Sequence, residues 1–221
     1  MRLALFDLDH TLLSGDSDVL WCEFLMDRGL LDRAEFAPRN ADMARRYAEG
    51  SVGAQEFCEF YVATLAGRSP AGWSALCEEF LAEVVAPRIP PAAHALVESH
   101  RARGDRLVLT TATNRVLTAM TARHLRIDDL LATEVEVLDE RCTGRTTGVL
   151  NMREGKVERL QAWLVEQALP SVMLREAVFY SDSANDLPLL QAVGEPIAVD
   201  PDERLGRHAA AAGWRVLRLA R

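Results

Sequence analysis

The 221-residue chain contains no CxxC pair, no apolar run approaching the roughly 20 residues that a membrane helix requires, and no surplus of basic charge. Each absence excludes a class of function. Its four cysteines, Cys22, Cys58, Cys77 and Cys142, lie far apart with no histidine in metal-ligand spacing. They read as reduced thiols in a cytoplasmic protein, not as disulfides or zinc ligands. Lys and Arg number 25 against 33 Asp and Glu, and the formal charge of -8 supplies no electrostatic reason to bind nucleic acid or an anionic membrane. The N-terminus enters an apolar strand directly, without the basic segment and apolar stretch of a signal peptide, so none is expected. Internal repeats and low-complexity segments are missing too.

What remains is an ordinary globular composition, 49% apolar and 26% charged, in a chain that suits one large domain or one domain carrying an insertion. From residue 91 onward apolar runs alternate with helical patterns, the signature of a parallel sheet flanked by helices. Strands are expected at Leu3 to Phe6, Arg106 to Thr110, Ala177 to Tyr180, Pro196 to Val199 and Arg215 to Leu219. Helices are expected over 91–103, 114–125, 156–168, 185–192 and 203–212, and a small hairpin within 133–149. The predicted class is α/β, a doubly wound parallel sheet. Before residue 91 the pattern is different, because about 75 residues read as helix alone. In 70–84, Ser69 and Pro70 suit a cap and first turn, and Trp73, Leu76, Cys77, Phe80, Leu81 and Val84 form one stripe. Phe57, Phe60, Tyr61 and Leu65 repeat that pattern and read as the core of a small bundle. Turn formers bracket it, LSGDS at 13–17 and PRIPP at 87–91. Residues 15–87 are therefore expected to be a helical cap, able to move as a unit, inserted into a core made of 1–14 and 88–221.

The stretch RLALFDLDHTLL (2–13) places two acids, Asp7 and Asp9, at the end of a strand that reads as buried. Unpaired carboxylates cost several kcal/mol to remove from water, so such a pair calls for solvent or a cation. Two further strands end in polar residues, Thr111 and Asp182, and in an open parallel sheet ligands bind at the carboxyl ends of the strands. Lys156, after Gly155 at a helix start, and Asp186, four residues beyond Asp182, can reach the same edge. A hard divalent cation such as Mg²⁺, shared by Asp7 and Asp182, would offset their burial. With a phosphate dianion, ionised Asp7, Asp182 and Asp186 give about -5, while Mg²⁺ and Lys156 return about +3 and helix N-termini add roughly half a unit each. In this arrangement Asp7 can attack phosphorus in line. Asp9 lies in the turn beyond, its side chain toward the leaving oxygen and its carbonyl toward the metal. Desolvation under a closed cap would favour the protonated form it needs as a general acid, and it would then serve as base for hydrolysis of the aspartyl phosphate.

Taken together and in order, DLDHT (7–11), TTATN (110–114), GK (155–156) and SDSANDLPLL (181–190) resemble the four motifs of the haloacid dehalogenase-like (HAD) phosphohydrolases. The insert after the first strand resembles the subfamily of phosphoserine phosphatases and some histidinol-phosphate phosphatases. The resemblance implies a Rossmann-like core and two-step phosphoryl transfer through phospho-Asp7. It also implies Mg²⁺ held by Asp7, the Asp9 carbonyl and Asp182 with Asp186 in support, and phosphoryl oxygens bound by Thr111 and Lys156.

Departures from the pattern bear on substrate. Asp16 stands where phosphoserine phosphatases carry a longer Glu for the substrate amine, and Gly50 to Gly67 contains none of the Arg that would hold a substrate carboxylate. Their SGG is TAT here, Thr111 to Thr113. The expected substrate is thus a small soluble phosphate monoester without an amino-acid carboxylate. Histidinol phosphate is the leading candidate and phosphoserine the alternative, with a non-enzymatic phosphate-binding module as the reading from another class. Asn185 is open between helix cap and substrate contact, as are Thr113 and Asn114. His10, Arg45 and Arg46 are open between solvated surface and the site.

Overall fold

Four consecutive buried residues, β1 (Leu3–Phe6), form the central strand of a seven-stranded sheet in the computed structural model, which describes residues 2–219. Strand alternation sends Leu3 and Leu5 into one hydrophobic layer, and Ala4 and Phe6 into another. On one side lie β2 (Arg106–Asn114), β3 (Asp129–Leu138) and β4 (Arg141–Thr147). On the other lie β5 (Val178–Ser181), β6 (Glu195–Val199) and β7 (Arg215–Leu217), giving the order β4-β3-β2-β1-β5-β6-β7. Every pairing is parallel except β3 with β4. Helices α5 (Pro91–Ala102) and α6 (Arg115–His124) cover the Phe6 face. The Leu3 and Leu5 face is covered by α7 (Glu154–Glu166), α8 (Val172–Glu176), α9 (Leu187–Ala192) and α10 (Glu203–Ala212). The sheet is doubly wound, as expected.

The 133–149 hairpin forms, closing through Asp139 and Glu140 at φ +48° and +63°, the left-handed pair that a two-residue I′ turn requires. Its first strand begins earlier than the sequence suggests. Asp129 to Leu131 pair with Val108 to Thr110, so β3 also extends the main sheet before the register shift that carries it into the hairpin. Leu130, Leu131 and Ala132 are too short a run, after two aspartates, to signal a buried strand.

Between β1 and α5 lie α1 (Ser17–Asp27), α2 (Arg33–Glu49), α3 (Ala54–Val62) and α4 (Pro70–Phe80), the last continuing as a π turn through Val85. The Ser69 hydroxyl accepts from the Gly72 amide at 3.0 Å and caps α4. These helices divide between two cores. Trp21 and Phe24 of α1 and Trp73, Cys77 and Phe80 of α4 share one cluster with Phe6, Leu109 and Tyr180. Trp21 meets Trp73 and Phe80 edge-on at 5.7 and 5.2 Å, contacts of about 0.5–1.5 kcal/mol each beyond burial. Met43, Phe57, Cys58 and Tyr61 of α2 and α3 form a smaller cluster with Cys22 and Met26. Half of the helical segment is thus continuous with the sheet's own core. All four cysteines are buried and free, and among the described residues no helix is long and apolar enough to cross a membrane.

Candidate active site

Phe6 pairs with Leu109 on one side and Tyr180 on the other, so β1, β2 and β5 leave the sheet at a common edge. The Asp7 amide donates to the Tyr180 carbonyl at 2.9 Å, carrying the pairing one residue beyond the strand. Connections diverge to either side of β1 here, which makes this edge the topological switch point where open α/β sheets bind ligands.

Lys156 is brought to the edge by the start of α7. A Cβ on Gly155 would come within 2.0 Å of the Leu150 carbonyl oxygen, so only glycine allows that close approach. Lys156 is also the single lysine among the chain's 25 basic residues. Its Nζ donates to Asp7 Oδ1 at 2.8 Å and to Asp186 Oδ2 at 2.7 Å, with the side chain 3% exposed. The Ser181 hydroxyl donates to the same Asp186 oxygen at 2.8 Å. Thr11 Oγ1 lies 3.0 Å from both Asp7 Oδ2 and Asp182 Oδ1, and accepts from the Asp182 amide at 3.0 Å. Asp9 is held from both ends. The Ser17 amide donates to its Oδ1 at 2.7 Å, and the Thr111 and Thr113 hydroxyls lie 3.1 and 3.0 Å from its Oδ2.

One ammonium faces many acids. Burial, only partly countered by Lys156, pushes the Asp7 carboxyl up to about 7. Burial, then Asp7 and Asp186, raises Asp182 well above the ordinary carboxylate range. Asp16 is pushed up to about 7 by burial and by Asp9. Burial alone would lower the Lys156 ammonium, but Asp186 and Asp7 hold it above the usual lysine range. The site is therefore short of positive charge: Asp7 shares the one ammonium with Asp186, and one oxygen each of Asp7 and Asp182 meets the Thr11 hydroxyl. The two carboxylates are hard oxygen donors of the kind Mg²⁺ takes, with water able to complete the shell. Among the described residues no three His, Cys, Asp or Glu side chains group as a metal site, and a set with only two side-chain ligands would not form such a group.

Above these residues opens a cavity of about 510 Å³. Asp7, Asp9, Asp16, Lys156, Asp182, Asp186 and Asp202 line it, together with His10 and Thr113. Its apolar wall includes Val19, Leu20, Ala44, Tyr47, Ala48 and Phe57. Of the expected residues, Asp7, Asp9, Asp16, Lys156, Asp182 and Asp186 converge here. Thr111 is fully buried one layer below, with its hydroxyl on Asp9. Asp16 accepts from the Asp18 and Val19 amides as the cap of α1. Asn185 lies outside the cavity and accepts from Arg153 Nε at 3.2 Å. Asn114 caps α6. Arg45 pairs with Asp42 and Glu49 along α2, and Arg46 pairs with Glu56 of α3.

A family model of haloacid dehalogenase-like hydrolases matches residues 4–191. The chain belongs to this family. It is 38% identical over 217 residues, 98% of both chains, to a histidinol-phosphatase of Neisseria meningitidis serogroup C. It is 33% identical to the phosphoserine phosphatase SerB1 of Mycobacterium tuberculosis, covering 99% of this chain and 71% of that one. Among solved structures, a protein of unknown function from Bordetella pertussis Tohama I superposes with a TM-score of 0.92 at 45% identity, over 98% of this chain and 97% of that one. A substrate-bound phosphoserine phosphatase superposes at 0.70 with 17% identity over 98% and 92%, a likeness of fold.

Two features of this HAD-like hydrolase escape a reading of its motifs. Tyr47 lines the cavity, stacks on Phe57 with centroids 4.3 Å apart, and has its hydroxyl raised well above the ordinary tyrosine range by burial and the facing acids. Asn40, Met43, Ala44, Tyr47 and Ala48 fall at i, i+3, i+4, i+7 and i+8, which is the signal that could have found it, but the charges of α2 mask that stripe. The second is Asp18, in GDSD, which lies buried behind Asp9.

Proposed function

We propose that this HAD-like hydrolase is a Mg²⁺-dependent phosphatase of a small soluble phosphate monoester, with histidinol phosphate as the leading substrate. The observation that carries the reading is Lys156 buried between Asp7 and Asp186, with Asp182 across Thr11, beneath a cavity to which no described arginine contributes. A carboxylate on the leaving group would find no guanidinium there, whereas an ammonium would meet Asp16 and Asp202. Phosphoserine carries that carboxylate and histidinol phosphate does not. The name of the Neisseria relative supports the same choice.

Asp7 attacks phosphorus as the ester oxygen departs, and Asp9 gives that oxygen its proton. Water then adds to the phosphorus of phospho-Asp7 and loses its proton to Asp9, which releases phosphate and restores both carboxyl groups. Lys156 binds phosphoryl oxygens, and Thr111, hydrogen-bonded to Asp9, joins the same polar floor. Asp7, Asp182 and the Asp9 carbonyl would hold the Mg²⁺, with Asp186 behind them. Bound there, the ion supplies Lewis-acid stabilisation of charge on the phosphoryl group. Within the cap segment 15–87, the apolar cover over the substrate comes from Val19 and Leu20 of α1, Ala44, Tyr47 and Ala48 of α2 and Phe57 of α3, while α4 packs in the sheet's core. A cytoplasmic setting suits the four buried free thiols.

The test is phosphate release from histidinol phosphate, phosphoserine, sugar phosphates and an aryl phosphate, with Mg²⁺ and with EDTA, beside Asp7→Asn. Histidinol phosphate is expected at a kcat/KM above roughly 10⁴ M⁻¹s⁻¹ and well ahead of phosphoserine, with EDTA and Asp7→Asn abolishing turnover. Preference for phosphoserine would overturn the substrate, and turnover by Asp7→Asn would overturn the covalent route.

A further inference from the structure

Asp18 is a buried acid with no cation paired to it among the described residues. It lies in the first turn of α1, 2% exposed, outside the cavity lining. Its Oδ2 is 3.1 Å from Thr113 Oγ1, and its Oδ1 has no hydrogen-bond partner. The charged groups facing it are Asp16 and Asp9, both of its own sign. An apolar side chain would fill the place without the desolvation penalty of an acid.

Hydrogen-bond accounting around Thr113 gives the acid a role. The Thr113 hydroxyl lies 3.0 Å from Asp9 Oδ2, 3.1 Å from Asp18 Oδ2 and 3.1 Å from Ser17 Oγ. A hydroxyl has one hydrogen to give and two lone pairs. It therefore serves all three neighbours by donating to Asp9 while accepting from Ser17 and from the carboxylic acid form of Asp18. Burial and the neighbouring acids favour that neutral form. Thr111, whose Oγ1 accepts from the Thr113 amide, turns its own hydrogen to the same Asp9 oxygen. Asp18 is the outer end of a chain of donors that all run toward Asp9.

We propose that Asp18 is a positioning residue which, through Thr113, fixes the carboxyl of Asp9 in the orientation from which it meets the leaving group. The kinetic consequence rests on the phosphatase reading, whereas the positioning contact does not. No change in the charge of Asp18 during turnover is required, so an uncharged amide of the same shape can replace it.

The experiment compares Asp18→Ala, Asp18→Asn and Thr113→Val with the wild type in aryl phosphate hydrolysis, thermal melts and crystal structures. Asp18→Ala is expected to lose roughly 10²-fold in kcat, the cost of misplacing a reacting group by about 1 Å, with KM within about twofold. Asp18→Asn, which keeps a donor facing Thr113, recovers kcat to within about threefold. Thr113→Val matches Asp18→Ala, and the double variant is no worse than either, since both cut the same chain. Full kcat in Asp18→Ala or Thr113→Val overturns the proposal, as does Asp18→Asn damaged as badly as Asp18→Ala while melting like the wild type. If Asp18→Ala fails to fold, Thr113→Val and Asp18→Asn decide. If the wild type hydrolyses no ester, the phosphatase reading fails and the structures decide the positioning. An Asp9 carboxyl turned away in Asp18→Ala but not in Asp18→Asn sustains it, and an unmoved one overturns it.

Discussion

The floor and the roof of the cavity are built on opposite principles. In the floor, Asp7, Lys156, Asp182 and Asp186 are fixed by hydrogen bonds of 2.7–3.0 Å in a buried network with one cation for several acids. In the roof, α2 and α3 offer Ala44, Tyr47, Ala48 and Phe57, while Arg45 and Arg46 of α2 pair with acids away from the cavity lining. The difference teaches how the molecule divides its work. On the proposed phosphatase reading, the fixed charges would recognise the phosphoryl group of any ester, whereas the shape of the roof and the lack of a described guanidinium in the lining would select what is attached to it.

Breaking the floor should have the largest effect. Lys156→Met leaves Asp7 and Asp186 buried without their cation, a loss of about 3–5 kcal/mol that thermal melts would read as a large fall in Tm. Turnover is expected to fall by about 10³-fold. Lys156→Arg would not rescue it, because a planar guanidinium cannot occupy a slot shaped for a compact ammonium. A Lys156→Met protein with unchanged Tm would show that the floor is not the charge-strained element described here.

Metal removal sharpens the same contrast through pH. Asp7 is pushed up to about 7 and Asp182 well above its ordinary value, so protons bind them more tightly in the folded chain than in the unfolded one. Their contribution to stability is intact below the ordinary carboxylate value near 3.8 and is lost as pH rises toward about 7. A cation that neutralises them should restore it. The increase in Tm produced by Mg²⁺ over EDTA is therefore expected to grow from pH 5 to pH 8, and to shrink in Asp7→Asn. An increment independent of pH would break the assignment of the metal to these acids.

Legibility in the sequence follows the same division. The floor could be read because its chemistry demands particular residue types at strand ends: the acids of DLDHT and SDSAND, and a lysine whose preceding glycine is dictated by the Leu150 carbonyl. The sheet could be read except at β3, whose apolar run is too short to stand out. Thr111 was recognisable as a strand-end hydroxyl, but nothing in TTATN says that it turns to Asp9 or that Thr113 faces the cavity. The roof was hidden because alanines and a tyrosine on a charged helix look like ordinary packing. The bracketing turns suggest an insert over 15–87, yet nothing in the sequence says that α1 and α4 share a cluster with the sheet's core, since an apolar stripe does not specify its partner.

Arg153 joins the two regions and gives the smallest effect. It precedes α7, the helix that carries Lys156 into the floor, and its Nη2 donates to the Val52 carbonyl of the roof at 3.0 Å while Nε reaches Asn185 at 3.2 Å. Its backbone sits at φ +53°, ψ -125°, a conformation that glycine tolerates and side-chain-bearing residues resist. Arg153→Ala removes the link and keeps the strained backbone, whereas Arg153→Gly removes both. KM for the substrate should rise equally in the two, by about three- to tenfold, because each frees the α2–α3 roof. Arg153→Gly should nonetheless melt higher than Arg153→Ala, by the equivalent of about 1 kcal/mol, because only the alanine variant still holds a Cβ at positive φ. Unchanged KM in both would mean that the roof is held by its apolar contacts alone, and equal melting would remove the backbone from the account and leave the guanidinium as the whole of the joint.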